Sequence, residues 1–232
     1  MPEKVLLIQH MADGCDDRVA RHLFRRGFVL QWCNPSLGDV LPGHHGDYAA
    51  VIVYGGVQSV NDAERHAYIR AELDWIQRWI ADDRPYLGLC LGGQLLARAL
   101  GARVGPHPEG LYEIGFVRVH PTVAGRRFFP APLHVYQWHY EGFAIPDGAE
   151  RLATGQVYPN QAFRAGRRAF GLQFHPEATS QIRGEWLDAS SHMLNEPGAH
   201  GRERQEADAK RFDQPMEDWL LTFIDSHVLP HR

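Results

Sequence analysis

Gly88-Leu89-Cys90-Leu91-Gly92-Gly93-Gln94-Leu95 sets one cysteine at a sharp bend between an apolar strand and a helix. Before it, Pro85-Tyr86-Leu87-Gly88-Leu89 reads as a short buried strand, and after it Gln94 to Leu100 reads as a helix stopped by Gly101. The pattern G-x-C-x-G is the cysteine form of a nucleophile elbow. There the nucleophile sits in a strained turn, and its neighbours two residues away on either side must be small enough to let the turn close. Gly88 and Gly92 meet that demand. The helix that follows offers unpaired N–H groups and roughly half a positive charge at its start, which favours a thiolate over the free thiol's usual pKa of about 8.5. The Leu91 N–H would point at an oxygen on the carbon under attack, as one donor of an oxyanion hole. A lone cysteine is more often a small buried hydrophobe. The two glycines at a strand-to-helix junction favour the reactive reading.

A nucleophilic thiol needs a base, and the base needs a group to hold it. Gly171-Leu172-Gln173-Phe174-His175-Pro176-Glu177 offers both. Ala169 to Phe174 reads as a strand ending at His175, and Pro176 stops further pairing and keeps His175 extended. On an extended stretch, residues two apart point the same way, so the Glu177 carboxylate can accept from one ring nitrogen while the other faces the thiol. The competing reading makes His175 a strand-end histidine and Glu177 the first acid of a helix.

Outward from these segments, strands and helices alternate. Lys4 to Gln9 reads as a strand, Asp16 to Arg26 as a helix, and Phe28 to Cys33 and Tyr48 to Tyr54 as strands. Asp62 to Ala81 reads as a helix in which Ile69, Leu73, Ile76 and Ile80 form the apolar stripe, with Asn61 or Asp62 as cap. Such alternation implies parallel pairing with right-handed crossovers, and ligands at the carboxyl ends of the strands. The expected fold is a three-layer α/β/α domain with a mostly parallel sheet. After Gly101, Gly115 to His120, Leu133 to Trp138 and Gln161 to Arg164 read as strands of a smaller, partly antiparallel portion. From Gln181 the chain becomes helical and charged, with few apolar residues between Asp188 and Pro215, where helices and a mobile connection are expected. A last amphipathic helix with Trp219, Leu220, Phe223, Ile224 and Val228 on one side should dock on the core. The division expected is a catalytic domain over 1–185 and a helical extension over 186–232.

The two motifs together resemble the class I glutamine amidotransferases, whose signatures are a G-x-C-x-G-x-Q elbow and an F-H-P-E strand end. Val51-Ile52-Val53-Tyr54-Gly55-Gly56-Val57 supplies a third match, with Val57 where the family usually has proline. The resemblance covers roughly residues 4 to 180, and glycine pair, elbow and His-Pro-Glu follow in the family's order. It implies a flavodoxin-like fold, Gly56 as the second oxyanion donor beside Leu91, and Gln94 on the substrate pocket. In Gln137-Trp138-His139-Tyr140-Glu141-Gly142-Phe143, it implies that Trp138 and His139 line the pocket, although Tyr140 replaces a glycine common in the family. On its own, His139 reads equally well as a satisfied polar residue on a strand. The Trp-His-x-Glu stretch resembles the stand-alone branch close to the amidotransferase domain of GMP synthase.

Activity implied by the resemblance is cysteine-dependent hydrolysis of the glutamine γ-amide through a γ-glutamyl thioester, with no cofactor. No G-x-x-x-x-G-K-[ST] loop is present, so ammonia would go to a separate synthetase partner, or the chain would hydrolyse γ-glutamyl compounds alone. A non-catalytic regulator that kept the fold is the third reading. A related cysteine-elbow family of chaperone and protease-like proteins places histidine directly after the cysteine, where this chain has Leu91.

Composition narrows the rest. At 232 residues with 44% apolar content, the chain can bury a sizeable core. Its formal charge of -4 is made of interspersed signs with no basic stripe, which argues against nucleic acid. The first residues enter a strand at once, with no cleavage signature and no run of about eighteen apolar residues anywhere, so a soluble, cytoplasmic protein with no membrane partner is expected. Cys15, Cys33 and Cys90 are too few and too odd for a disulfide framework. The 14 histidines lack metal-site spacings, and His44-His45 reads as a solvated turn.

Overall fold

The computed structural model describes residues 3–11, 17–43 and 48–229. Cys15, His44, His45 and the expected helix start at Asp16 lie outside them. Four short apolar runs become strands: β1 (Lys4–Ile8), β2 (Val29–Cys33), β3 (Tyr48–Val53) and β4 (Tyr86–Leu89). They pair in the order β2-β1-β3-β4, all parallel. β1 shows why the sheet needs cover on both faces. Val5 and Leu7 join one core with α1 (Arg18–Arg25), whereas Leu6 and Ile8 join a second core with α2 (Ala67–Ala81) and α3 (Leu91–Ala99). Strands buried on both sides read as continuous apolar runs rather than alternating ones.

Two details of α2 differ from the sequence reading. Asn61 and Asp62 belong to a separate 3₁₀ turn, Val60–Asp62, capped by Ser59, and α2 itself starts after His66, whose side chain caps nothing. The stripe is also rotated: Ile69 and Ile76 are buried, but Trp75 and Trp79 share that face while Leu73 and Ile80 are only partly buried. The two indoles stack at 4.9 Å and offer more area to bury than the aliphatic residues they displace.

Beyond β4 the sheet continues through β11 (Ala169–Leu172), still parallel, and then turns antiparallel through β10 (Ala162–Ala165), β9 (Glu150–Thr154), β6 (Glu113–Pro121) and β7 (Leu133–His139). β5 (Val104–Pro106) and β8 (Glu141–Phe143) form a separate antiparallel pair. The architecture is therefore α/β, with a parallel centre and an antiparallel flank. β11 ends at Leu172, two residues before the expected Phe174. Leu172 is in register with Leu89, so the chain leaving β11 emerges beside Cys90.

After β11 come α4 (Ser180–Ala189), a 3₁₀ turn at Ser191–Asn195 and α5 (Arg202–Phe223), which runs through Pro215 into a π-helical turn at Ile224–Val228. Met216, Leu220, Phe223, Ile224 and Val228 are buried in the same core as α1, and Trp219 packs against it from a half-buried position. The connection expected to be mobile is pinned to β6 and the residue before it. Tyr112 N–H donates to the Pro197 carbonyl at 2.8 Å and His200 N–H to that of Ile114 at 2.9 Å. Backbone bonding of this kind needs no apolar side chains, so composition carries no trace of it. Among the described residues, no helix is long and apolar enough to cross a membrane.

Candidate active site

Cys90 sits between β4 and α3 with φ +50° and ψ -107°, and only Asp83 is otherwise both non-glycine and at positive φ among the described residues. Such a conformation costs on the order of 1–3 kcal/mol and persists only where its surroundings fix it. Three glycines do the fixing. A Cβ on Gly92 would lie 2.0 Å from the Val53 carbonyl oxygen, one on Gly88 2.3 Å from that of Gly92, and one on Gly93 2.6 Å from that of Leu172. Gly93 is a third obligatory glycine that the G-x-C-x-G pattern does not mark. Cys90 N–H donates to the Leu172 carbonyl at 2.9 Å, tying the elbow to the end of β11.

That tie brings the second motif in. His175 Nδ1 donates to Glu177 Oε1 at 2.7 Å, and the ring and the Cys90 side chain both lie against Gly55. Burial alone would lower the His175 pKa, but the charges and hydrogen bonds of Cys90 and Glu177 outweigh it and raise it to about 10. His175 N–H donates to the Tyr136 carbonyl at 2.8 Å, and the Trp186 ring stands edge-on to the imidazole at 4.8 Å. Three consecutive carbonyls around Glu177 are also held. Arg18 Nη1 donates to Pro176, Arg18 N–H to Glu177 and Arg183 Nη1 to Ala178, at 3.1, 3.1 and 2.7 Å. Asp213 of α5 accepts from both arginines at 2.7 Å, so the C-terminal helix braces the His-Pro-Glu segment.

The glycine pair closes over this group. A Cβ on Gly55 would meet His175 Cε1 at 2.5 Å and Cys90 Cβ at 3.5 Å, and one on Gly56 would meet Leu91 Cδ2 at 2.9 Å. The Leu91 side chain thus packs against Gly56. Behind the loop lies a buried pair, His10 and Glu72, at 2.8 Å. Burial opposes the charge on His10, but Glu72 raises its pKa overall.

On the far side of the sulfur the wall is made of amides. Gln94 Nε2 donates to the Glu141 carbonyl at 2.9 Å and reaches Gln173 Oε1 at 3.4 Å, and Gln173 Nε2 lies 3.9 Å from Cys90 Sγ. Elbow, paired His–Glu, glycine pair and amide wall lie together at the carboxyl ends of β3, β4 and β11. The family description Glutamine amidotransferase class-I matches residues 13–190.

The chain belongs to the class I glutamine amidotransferase family. It is 31% identical over 215 residues to the glutamine amidotransferase-like protein YfeJ of Salmonella typhimurium, covering 89% of each chain. It is 35% identical over 144 residues to the glutamine-hydrolyzing GMP synthase of Phenylobacterium zucineum, covering 58% of this chain and 26% of that one. The crystal structure of a glutamine amidotransferase from Thermotoga maritima superposes with a TM-score of 0.85 at 27% identity, covering 97% of both chains.

Against this frame, the sequence-derived site residues divide. Cys90, His175, Glu177, Gly56, Leu91 and Gln94 lie together. Trp138 contributes its carbonyl, 4.0 Å from Cys90 Sγ, and a ring that lines a cavity described below. His139 is placed differently from a pocket-lining residue. Its ring is buried, with Nδ1 2.9 Å from the Glu141 carbonyl and Nε2 3.0 Å from Glu113 Oε2, so both nitrogens are engaged within the protein. It holds the Glu141 backbone that in turn receives Gln94. The sequence reading assigned no role to Gln173, Trp186 or the bracing arginines, and marked Gly55 only as the first of the glycine pair. Gln173 carried a signal, since it lies two residues before His175 on an extended stretch and so shares its side.

Proposed function

We propose that the chain hydrolyses the γ-amide of glutamine or of a γ-glutamyl compound, with Cys90 as nucleophile. The observation that carries this reading is the His175–Glu177 bond of 2.7 Å on a ring that shares the Gly55 contact with Cys90 at a strained elbow. The Cys90 sulfur bonds to the amide carbon and the oxyanion is received by the Gly56 and Leu91 N–H groups; loss of one such donor typically costs about 3 kcal/mol of barrier. As the C–N bond breaks, His175 gives its proton to the departing nitrogen, and ammonia or an amine leaves. Water then cleaves the thioester, returning the thiol and releasing glutamate. Glu177 keeps the ring oriented and favours its charged form without taking the proton.

In this reading residues 1–185 carry the chemistry and 186–232 form a helical extension that braces it through Asp213. A separate synthetase as ammonia acceptor and hydrolysis without a partner remain two versions of the same chemistry. The aromatic cavity beside His175 favours the second, because released ammonia needs no such space. Ammonia and amine release by the purified chain alone, assayed on glutamine and γ-glutamyl compounds, tests the reading. Turnover lost in Cys90→Ser supports it, and turnover unchanged in that variant contradicts it.

A further inference from the structure

A cavity of about 230 Å³ opens against His175 and the Gly55–Gly56 loop; Cys90, Gln94, Gln173 and Glu141 do not line it. Its walls are Trp32, Tyr54, Trp138, Ile182 and Trp186, with Ala189 exposed at the edge. Ile182, Trp186 and Ala189 form one stripe of α4 that lines the space, with Ile182 and Trp186 also packed against the core. The rings hold one another: Trp32 stacks on Tyr54 at 5.8 Å, and Trp138 meets Trp186 edge-on at 5.9 Å. A void of about 150 Å³ lined by apolar groups is enough to take benzene.

The charge around the space is one-sided. Asp17, Glu177 and Glu185 line it; His10 and His175 also do, but each is already paired with a carboxylate, Glu72 at 2.8 Å and Glu177 at 2.7 Å, and no lysine or arginine lines it among the described residues. Glu177 Oε2 is buried with no hydrogen-bond partner among the described residues, so a carboxylate brought beside it would be repelled, offset only by a His175 ring that Glu177 already holds. The departing nitrogen must lie at His175, which places whatever that nitrogen carries in this cavity. We propose that the cavity binds the amine half of the substrate, and that the substrate class is γ-glutamyl amides of apolar or aromatic amines lacking a carboxylate. This rests on the reading of Cys90 as the nucleophile toward γ-glutamyl amides. It excludes amino acids as the preferred leaving group and makes ammonia a poor fit to the space.

The test compares γ-glutamyl-phenethylamide, γ-glutamyl-phenylalanine and glutamine as substrates of the full chain. The first two differ by one carboxylate. The phenethylamide is expected to exceed both others in kcat/KM by about tenfold or more, the equivalent of about 1.4 kcal/mol. Ala189→Arg, which sets a cation at the exposed edge, narrows the gap between phenethylamide and phenylalanine substrates. Ala189→Trp, which narrows the space, slows phenethylamide cleavage more than glutamine cleavage. Equal or faster cleavage of γ-glutamyl-phenylalanine by the wild type, or a ratio moved by neither substitution, overturns the inference. If no substrate is cleaved, the nucleophile reading fails and the cavity is judged by calorimetric titration with phenethylamine. Saturable binding lost in Ala189→Trp then supports the cavity as an amine site, and absence of binding to the wild type overturns it.

Discussion

The two sides of the Cys90–His175 pair are built from different materials. On one side stand amides, Gln94 and Gln173, with the Glu141 carbonyl, linked by bonds of 2.9 and 3.4 Å. On the other stand rings, Trp32, Tyr54, Trp138 and Trp186, around an open space. A buried amide must keep its hydrogen bonds, so the first wall fixes a polar group by direction. A ring wall selects by volume and by the sign of charge it tolerates. The contrast teaches that the acyl half of a substrate would be recognised strictly and the amine half loosely.

The largest effect should erase the distinction. Cys90→Ser and His175→Ala are each expected to lower amide cleavage by about 10⁴-fold for every substrate, with circular dichroism close to wild type. A smaller but equally even-handed loss is expected from Gly55→Ala, whose new methyl would fall 2.5 Å from His175 Cε1. Moving the ring by a fraction of an ångström should reduce kcat by about 100-fold whichever amine leaves. Gln94→Ala sharpens the comparison, since it removes a bond on the amide side only. It should raise KM by about tenfold for all γ-glutamyl substrates while leaving the ratio between different amines unchanged.

The smallest predicted effect concerns pH. His175 in the folded chain holds its proton up to about 10, against 6.5 for the unperturbed group. Folded protein therefore binds more protons between those values. The stabilisation is complete below 6.5 and is lost as pH rises toward 10. Melting temperature should fall across that window in the wild type and less steeply in Glu177→Gln, which removes part of what raises the pKa.

Much of the site was legible because its determinants are local. The Gly88–Gly92 contact of the elbow joins residues four positions apart, and His175 and Glu177 meet because extended backbone repeats every two residues. The alternation of strands and helices likewise carried the parallel centre of the sheet. What escaped notice depends on register between distant segments. Leu172 opposite Leu89 is what delivers Gln173 to the sulfur, and no pattern within either segment encodes that pairing. Trp186 and Asp213 sit in a stretch read as helical and charged, with a mobile connection between Asp188 and Pro215, yet one reaches the His175 ring and the other joins Arg18 to Arg183. The His139 ring went to Glu113 because a buried carboxylate must find donors, and Glu113 lies opposite it across β6 and β7.

The central claim is that Cys90 is an activated nucleophile paired with His175. It is tested most directly by treating wild type and His175→Ala with a chloroketone analogue of glutamine at neutral pH and mapping the adduct by mass spectrometry. Cys33 supplies an internal control, because burial first, then Asp39 and Glu72, push its thiol up to about 11. The account predicts a single adduct on Cys90, formed far more slowly without His175, with Cys33 unmodified. Equal rates in the two proteins, or modification of other cysteines with Cys90 untouched, would contradict it.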